Sequence, residues 1–287
     1  MSFYGKIDLH MHTTVSDGTD TPEEILLNVK KKGIKIFSVT DHDAVKGSSM
    51  VKGMLKDRDP LFIPGAEFSS RDELGKYHIL AYGYDPEAAP IKALCDKCHE
   101  LRITKFKGRL SFVEKEYGFI FSDEDKAALL AMDNPGKPHL GNLMVKYGYV
   151  KSKEDAIKNY IDNAWLKSEF INPQEVISAV LGSGGIPVLA HPIYGSGDQL
   201  IVGDEMDERL RHLMAMGLKG VESFYSGFTV KLIIQMLEFA EKYGLYVTAG
   251  SDYHGKNKLV TLGDTGYDPG IDPPEGMKRF FKDIFGI

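Results

Sequence analysis

The sequence predicts an α/β fold with a largely parallel sheet, interrupted by a helical insertion. Short apolar or β-branched runs alternate with helix-periodic segments, which is typical of successive βα units. Between about 88 and 167 the chain is highly charged and helix-periodic, without a convincing strand. Polar residues collect where the predicted strands end, the edge at which barrels and open α/β sheets place their functional groups.

The first βα unit begins with a strand over 6–12, KIDLHMH, whose side chains alternate between two faces. A helix over 21–33 follows, because Thr21 can cap it, Pro22 suits its first turn and Gly33 can end it. Further strands are predicted at 34–40, 61–67 and 77–85. This half of the chain therefore supplies four strands.

The alternation returns after residue 168. We predict helices at 172–185, 204–216 and 229–244, and strands at 186–192, 218–224 and 245–254. The turn signals NPGKPH and FINPQ divide the helical stretch and mark its end. We therefore expect one main domain in two parts, residues 1–90 and 168–287, with a small all-helical domain over 91–167.

Composition restricts the class of protein. A chain of 287 residues with 43% hydrophobic and 26% charged residues can form one large core or one domain with an insertion. The N-terminus has no signal-peptide pattern and no window approaches eighteen uncharged apolar residues, so we expect a cytoplasmic protein without a membrane partner. The net charge of −6 matches poorly with nucleic-acid binding through a basic surface, and we expect no sequence-specific DNA partner.

The two cysteines lie in the sequence CDKCH, which matches the pattern of covalent haem attachment. The surrounding run has helical periodicity, so Cys95 and Cys98 are expected on one helix face as small apolar residues. We expect no haem. A redox pair or an additional metal site remains an open alternative, and two cysteines provide no disulfide framework.

His10 and His12 share one face of the first strand. They can be two polar residues of an ordinary strand, or two imidazoles that converge on a metal ion. Other predicted strand ends carry further potential ligands: Asp41, His42, Asp43, Glu67, His78, His191, Asp252 and His254. Since six of the nine histidines lie at strand ends or just beyond, the joint pattern predicts a metal site. Mixed imidazole and carboxylate ligands suit Zn, Fe or Mn better than Ca or an all-oxygen Mg site.

The motifs DLHMHTTVSDG, TDHD, GAE, HILAYG, LAHP and GSDYH, in this order, resemble the polymerase and histidinol phosphatase (PHP) superfamily. The resemblance spans almost the whole chain and implies a distorted (β/α)7 barrel with two or three divalent ions at its carboxyl edge. The ligands that it implies are His10, His12, Asp17, His42, Glu67, His78, His191, Asp252 and His254. It further implies that Glu67 bridges two ions, that His78 and His191 complete one site, and that Asp17, His42 and His254 hold a third.

Nine ligands shared by three ions leave about three protein groups for each, with open positions for water and substrate, as in catalytic sites. Three carboxylates against three divalent ions leave net positive charge, which favours an anionic substrate. We therefore expect phosphoester hydrolysis by in-line attack of water, without a covalent enzyme intermediate. Asp41 and Asp43 either orient the imidazoles or serve as turn and cap residues.

The segment NPGKPHLGNLMVKYGYVKSKEDAIKNYI resembles the Gly-Arg-Pro-His segment of a PHP subgroup that contains 3′,5′-nucleoside bisphosphate phosphatases and 5′→3′ exoribonucleases. The resemblance implies that Lys137 and His139 reach over the metal centre and bind substrate phosphate. Lys137 stands where Arg is usual and lacks the bidentate fork. His139 can instead be a helix-start residue in solvent. Further candidate contacts are Arg71, Lys256 and Asn257 for the anion, and Phe224 and Tyr225 for stacking on a base.

The sequence thus predicts a metal-dependent phosphoesterase for nucleoside mono- or bisphosphates or short 5′-phosphorylated RNA. A histidinol-phosphate-type phosphatase of small metabolites is an alternative, although such enzymes generally lack the insertion. A barrel that binds metal without turnover, as a regulatory module, is the other alternative.

Overall fold

The computed structural model describes residues 5–165, 169–194 and 200–286. Its eight strands form two sheets, with orders β1-β2-β3 and β4-β5-β6-β7-β8. The strands are β1 (Lys6–Asp8), β2 (Ile34–Phe37), β3 (Leu61–Phe62), β4 (Gly65–Asp72), β5 (Gly75–Tyr82), β6 (Ile186–Leu189), β7 (Gly220–Tyr225) and β8 (Tyr246–Gly250).

Backbone contacts join the two sheets at both edges. The N–H of Leu9, just after β1, donates to the carbonyl of Ala249 in β8 at 2.8 Å. At the other edge, His42 pairs with Glu67 of β4. Only Ile63 and Pro64 separate β3 from β4, so β3 and β4 together occupy one strand position of the barrel. The result is a closed barrel with seven strand positions, which confirms the distorted (β/α)7 barrel.

The sheet is less parallel than expected, because β4 and β5 form an antiparallel hairpin and β5 also runs antiparallel to β6. Glu73 and Leu74 alone connect the first pair, whereas a parallel neighbour would require a long crossover. His78 therefore lies inside β5 rather than at its end, and the strand's reversed direction brings its first half to the edge where the parallel strands end.

Helices cover the outside of the barrel: α1 (Pro22–Lys31), α2 (Lys46–Met54), α7 (Pro173–Gly182), α8 (Gly203–Ala215), α9 (Val230–Tyr243) and α10 (Glu275–Phe285). Thr21 begins α1 with a capping box, as its sequence predicts. The helix α10 buries Met277, Phe280 and Phe281, and the Phe280 ring packs edge-on against Tyr82 of β5. These apolar faces build the core between helices and sheet.

Between β5 and α7 lie α3 (Ala89–Tyr117), α4 (Asp123–Leu130), α5 (Lys137–Lys146) and α6 (Lys153–Asn159), followed by a 3-10 turn. We call residues 89–163 the helical segment. It has a hydrophobic core of its own, which includes Phe106 and Met144. The first turns of α3, however, bury Ile91 and Leu94 in the barrel core, so the predicted boundary at 90/91 falls inside α3. The other predicted boundary, at 167/168, lies outside the described residues.

Within the described ranges, no helix combines the length and the apolar character that crossing a bilayer requires.

Candidate metal centre

All nine predicted ligands lie around one point at the edge of the barrel. His10 and His12 follow β1 in a stretch that is not a regular strand, since its N–H groups bond partly to side chains such as Thr40 Oγ1. Both imidazoles are nevertheless fully buried and face the barrel interior. The structure thus brings them together as the strand alternation predicts, although β1 itself ends at Asp8.

The first group consists of His10, His12, Glu67 and Asp252. The Nε2 atoms of the two histidines lie 3.3 Å from Oε2 of Glu67, and 3.5 and 3.2 Å from Oδ1 of Asp252. Four ligands at about 2.0–2.1 Å from a tetrahedral ion are about 3.3–3.4 Å apart. The spacing of these atoms therefore fits one divalent ion.

The other carboxylate oxygen of Glu67 faces a second group. Its Oε1 lies 2.9 Å from Nδ1 of His78 and 3.1 Å from Nε2 of His191. Since Glu67 turns one oxygen toward each group, its carboxylate has the position of a bridge between two ions. The Glu67 side chain is only 1% exposed, so water does not compete freely for these oxygens.

A third group consists of Asp17, His42 and His254. Oδ1 of Asp17 lies 3.2 Å from Nε2 of His254 and 3.9 Å from Nε2 of His42. The Asp17 side chain is 29% exposed. The carbonyl of Asp252 accepts from Nδ1 of His254 at 2.9 Å, which turns Nε2 of that ring toward Asp17.

Several buried polar atoms in the three groups have no hydrogen-bond partner. They are His10 Nε2, His12 Nε2, Asp17 Oδ1, His42 Nδ1 and Glu67 Oε2. Buried polar atoms are seldom left without a partner, and each one calls for an explanation such as an ion. These atoms converge on one region, so the side chains present fit divalent cations.

The pKa shifts of the carboxylates and imidazoles in the cluster indicate a site that attracts cations. Burial by itself would raise the pKa of Glu67, but the imidazoles of His42, His10 and His78 outweigh it and hold the pKa well below its usual value. For His42, burial would lower the pKa, yet the carboxylates of Glu67 and Asp17 raise it to about 9. The carboxylates thus stay ionised and attract cations, whether protons or metal ions.

Sequence reasoning missed Glu222, a fully buried acid in β7. Its Oε1 accepts from Nδ1 of His10 at 2.9 Å, and its Oε2 accepts from the backbone N–H of His191 at 2.7 Å. A Cβ on Gly250 would lie only 2.2 Å from Cβ of His10 and 2.3 Å from Oε1 of Glu222, so glycine is required there. Glu222 therefore orients one imidazole and ties two of the groups together.

Asp252 is held by two further residues. Tyr225 donates from its hydroxyl to Oδ2 at 2.9 Å, and the Lys258 ammonium contacts the same oxygen. This leaves Oδ1 for the histidines. Asp252 and His191 have positive φ angles of 57° and 28°, which non-glycine residues adopt rarely and mostly at functional sites.

Asp41 and Asp43 do not hydrogen-bond an imidazole directly in the described part of the chain, although the Ser16 hydroxyl lies between Asp41 Oδ1 and Nδ1 of His12, at 2.7 and 3.4 Å. Asp41 accepts from the Thr13 N–H and from the hydroxyls of Thr13 and Ser16, and so fixes the loop after His12. Asp43 accepts from the Ser69 N–H at 2.9 Å and pairs with Arg102. The contacts of Asp43 fit the alternative of turn chemistry, whereas those of Asp41 fit both roles.

A cavity of about 490 Å³ opens beside the cluster, with Asp17, His42 and His78 in its wall. The helical segment supplies much of the opposite wall. Cationic side chains lining the cavity are Lys76, Arg102, Lys105, Arg109 and Lys137. Three of them recur at helical spacing on one face of α3. Burial and the neighbouring Arg102 and Arg109 lower the pKa of Lys105 to about 8.

The predicted substrate residues are only partly brought together. Lys137 lines the cavity and forms an ion pair with Asp162, whereas Arg71, His139, Lys256 and Asn257 are not among its lining residues. His139 is half-buried rather than in solvent, and its Nδ1 accepts from the Gly136 N–H at 3.0 Å at the start of α5. Lys256 and Arg71 are exposed, the latter with its guanidinium over the Phe170 ring, and Asn257 bonds to the Asp17 carbonyl.

The predicted base-stacking role of Phe224 and Tyr225 is wrong. Both residues are buried. Phe224 packs edge-on against Tyr267, and the Tyr225 hydroxyl donates to Asp252. Cys95 and Cys98 lie on α3 as free thiols, and burial raises the pKa of Cys95 to about 12, so this thiol is unreactive.

Comparison with known proteins agrees with this geometry. A profile of the PHP domain matches residues 8–247. A phosphoribosyl 1,2-cyclic phosphate 1,2-diphosphodiesterase from Eggerthella lenta is 30% identical, over 87% of this chain and 94% of that protein. A 5′-3′ exoribonuclease from Haemophilus influenzae is 26% identical over 90% and 93%, and a 3′,5′-nucleoside bisphosphate phosphatase from Chromobacterium violaceum is 26% identical over 86% and 87%.

Among solved structures, a protein from Bifidobacterium adolescentis assigned as a metal-dependent phosphoesterase superposes with a TM-score of 0.81 at 26% identity, covering 96% of each chain. An amidohydrolase from Chromobacterium violaceum shares the fold, with a TM-score of 0.76 at 24% identity over 94% of this chain and 92% of that one. The matched profile covers most of the chain, and these relatives span nearly its full length. The chain belongs to the PHP domain family.

Proposed function

We propose that this protein is a metal-dependent phosphoesterase that hydrolyses phosphate esters of nucleotides, either nucleoside mono- or bisphosphates or short 5′-phosphorylated RNA. The observation that carries the proposal is the cavity between the metal-binding cluster and the cationic face of α3. An anion can contact both walls at once. The names of the exoribonuclease and the bisphosphate phosphatase among the relatives support the substrate class.

In this proposal one ion is held by His10, His12, Glu67 and Asp252, and a second by Glu67, His78 and His191. Asp17, His42 and His254 hold a third. Mn, Fe or Zn suits this mixture of imidazole and carboxylate donors. Bound divalent ions lower the pKa of water and neutralise the charge on a transferring phosphoryl group.

The chain's own residues bind and orient the rest of the substrate. Arg102, Lys105 and Arg109 on α3 offer cations to a second phosphate in the cavity. Lys137 adds a point charge at the start of α5, where backbone N–H groups also favour an anion. Phe170 lines the same cavity with an apolar ring. A substrate with two phosphates therefore gains more from this cavity than one with a single phosphate. We also propose a cytoplasmic location, in accordance with the free thiols of α3.

Phosphate release across a substrate panel tests the proposal. The panel contains a nucleoside 3′,5′-bisphosphate, a nucleoside 5′-monophosphate, a 5′-phosphorylated trinucleotide and histidinol phosphate, each with protein that has been chelated or reloaded with Mn, Fe or Zn. We expect metal-dependent release, fastest with the bisphosphate or the trinucleotide. Preference for histidinol phosphate would instead favour a small-metabolite phosphatase, and no release from any substrate would favour a non-catalytic module.

Two histidine variants serve as a matched pair in this assay. His12→Ala removes a group from the centre of the cluster and is expected to abolish release. His212→Gln changes a histidine on α8 that contacts Asp72, away from the cluster, and should leave release unchanged. Equal activity of the two variants would contradict the proposal.

A further inference from the structure

Different parts of the fold hold the three groups of the metal centre. In the first two groups the barrel holds three of the ligands, since Glu222 fixes His10 and the His191 backbone, and Tyr225 with Lys258 fixes Asp252. Every one of these partners lies on a barrel strand or in the loop after β8. The barrel therefore contains what it needs to position these ligands.

The loop that carries His42 is held by β4, for example through the Ser69 N–H, and also by the helical segment. Asn134, which is buried between α4 and α5, donates from Nδ2 to the backbone carbonyl of His42. The next residue, Asp43, pairs through its carboxylate with Arg102 of α3. Asp43 has a φ of 54°, so this turn is strained and depends on outside contacts to keep its shape.

Two consecutive hydrogen bonds connect the helical segment to the loop that carries Asp17. Lys153 of α6 donates from Nζ to Oδ1 of Asn257 at 2.7 Å. Asn257 in turn donates from Nδ2 to the backbone carbonyl of Asp17 at 2.7 Å. The Lys153 side chain is 18% exposed, so this contact is largely shielded from water. The helical segment is thereby linked to the position of Asp17 through Asn257.

We infer that the helical segment is a structural part of the third group, formed by Asp17, His42 and His254, and that Asn134 and Lys153 are positioning residues for the ion bound there. This inference rests on the proposed metal centre. In the third group the Asp17 Oδ1 and His42 Nε2 atoms are 3.9 Å apart, farther than the donor pairs of the first group. The ion at this position depends on docking of the helical segment, whereas the other two ions do not.

The coupling has a consequence for substrate binding. The helical segment carries four of the five cations that line the cavity, so a phosphate that draws the helical segment toward the barrel also favours the third ion. By thermodynamic linkage, the ion favours the phosphate equally.

Titration of metal-free protein with Mn²⁺, followed by electron paramagnetic resonance and by elemental analysis, tests the inference. The wild-type chain is expected to bind three ions, one more weakly than the other two. Lys153→Met should weaken the weakest class about 2–10-fold, the effect of losing one hydrogen bond, and leave the tight classes unchanged. Lys153→Arg can still donate to Asn257 and should restore binding. Asn134→Ala provides a second, independent variant with the same selective effect.

The control is Lys146→Met, which removes an ion pair with Asp125 at 2.7 Å inside the helical segment, away from either loop. It should bind all three ions as the wild type does. The inference is overturned if Lys153→Met and Asn134→Ala bind the weakest ion as tightly as the wild type, or if they weaken all classes equally. A wild-type chain that binds no Mn²⁺, Fe or Zn would overturn the proposed function as well.

Discussion

Replacing Glu222 with glutamine probes the residue that joins two of the ligand groups. Both carboxylate oxygens accept hydrogen bonds, from Nδ1 of His10 at 2.9 Å and from the His191 N–H at 2.7 Å. Glutamine has only one acceptor oxygen. In either orientation its NH₂ group faces a donor, so one of the two hydrogen bonds is lost and the imidazole or the backbone loses its support.

The size of the effect follows from this geometry. Loss of a carboxylate that orients a metal-binding imidazole typically weakens metal binding about 10–100-fold, which corresponds to about 1.4–2.7 kcal/mol. The unpaired donor also costs about 1–3 kcal/mol of folding stability. Since domains are stable by about 5–15 kcal/mol, Glu222→Gln should remain folded and can be measured.

Competition between the protein and a chelating dye for Zn²⁺ or Mn²⁺ measures the affinity directly. The matched control is Glu175→Gln on α7, which changes an exposed acid paired with Lys97 at 2.6 Å and should bind metal as the wild type does. Circular dichroism confirms that both variants are folded. If Glu222→Gln binds metal within twofold of the wild type, Glu222 does not orient His10 and the reasoning is refuted.

Three further outcomes are expected. Tyr82→Phe removes a buried hydroxyl that donates to the Leu9 carbonyl at 2.9 Å. Calorimetry should show a free energy of unfolding lower by about 1–2 kcal/mol and a Tm lower by about 2–6 °C. An unchanged Tm would refute this. Lys105, with its pKa lowered to about 8, is charged below that pH and neutral above it, so kcat/KM for a bisphosphate should fall as pH rises through about 8. The Lys105→Arg variant stays charged and should lack this fall, and identical pH profiles would count against a role in anion binding. Thr21→Ala removes the cap of α1 and should cost about 1 kcal/mol in urea unfolding without affecting activity; full stability would show that the capping box contributes nothing.

The fold was predictable where periodicity was strong. The helix predicted at 229–244 is observed at Val230–Tyr243, and the strand at 218–224 is observed at Gly220–Tyr225. The helix α2 was missed because KGSSMVKGM is rich in residues of low helix propensity. The helix α10 was missed although Met277, Phe280, Phe281 and Ile284 follow helical spacing, which is a usable signal. The short DELG turn also could have revealed the β4–β5 hairpin.

The candidate ligands came from motifs that local sequence displays, and the structure places all nine together. Their partners could not be found in this way. Glu222 is a single acid within the apolar strand GVESFY, and its only signal is that a charged residue there must be buried. The spacing of Arg102, Lys105 and Arg109 is also that of an ordinary solvated helix face, so only the packing of α3 across the barrel edge identifies them as cavity residues.

Anomalous diffraction at the zinc edge from crystals of the Zn²⁺-loaded protein tests the metal centre most directly. The account predicts a peak between His10, His12, Glu67 and Asp252, about 2.0–2.2 Å from each donor atom, with a second beside His78 and His191. A third is expected among Asp17, His42 and His254. Fully loaded crystals without a peak between the first four residues, or with zinc bound only elsewhere on the chain, would contradict it.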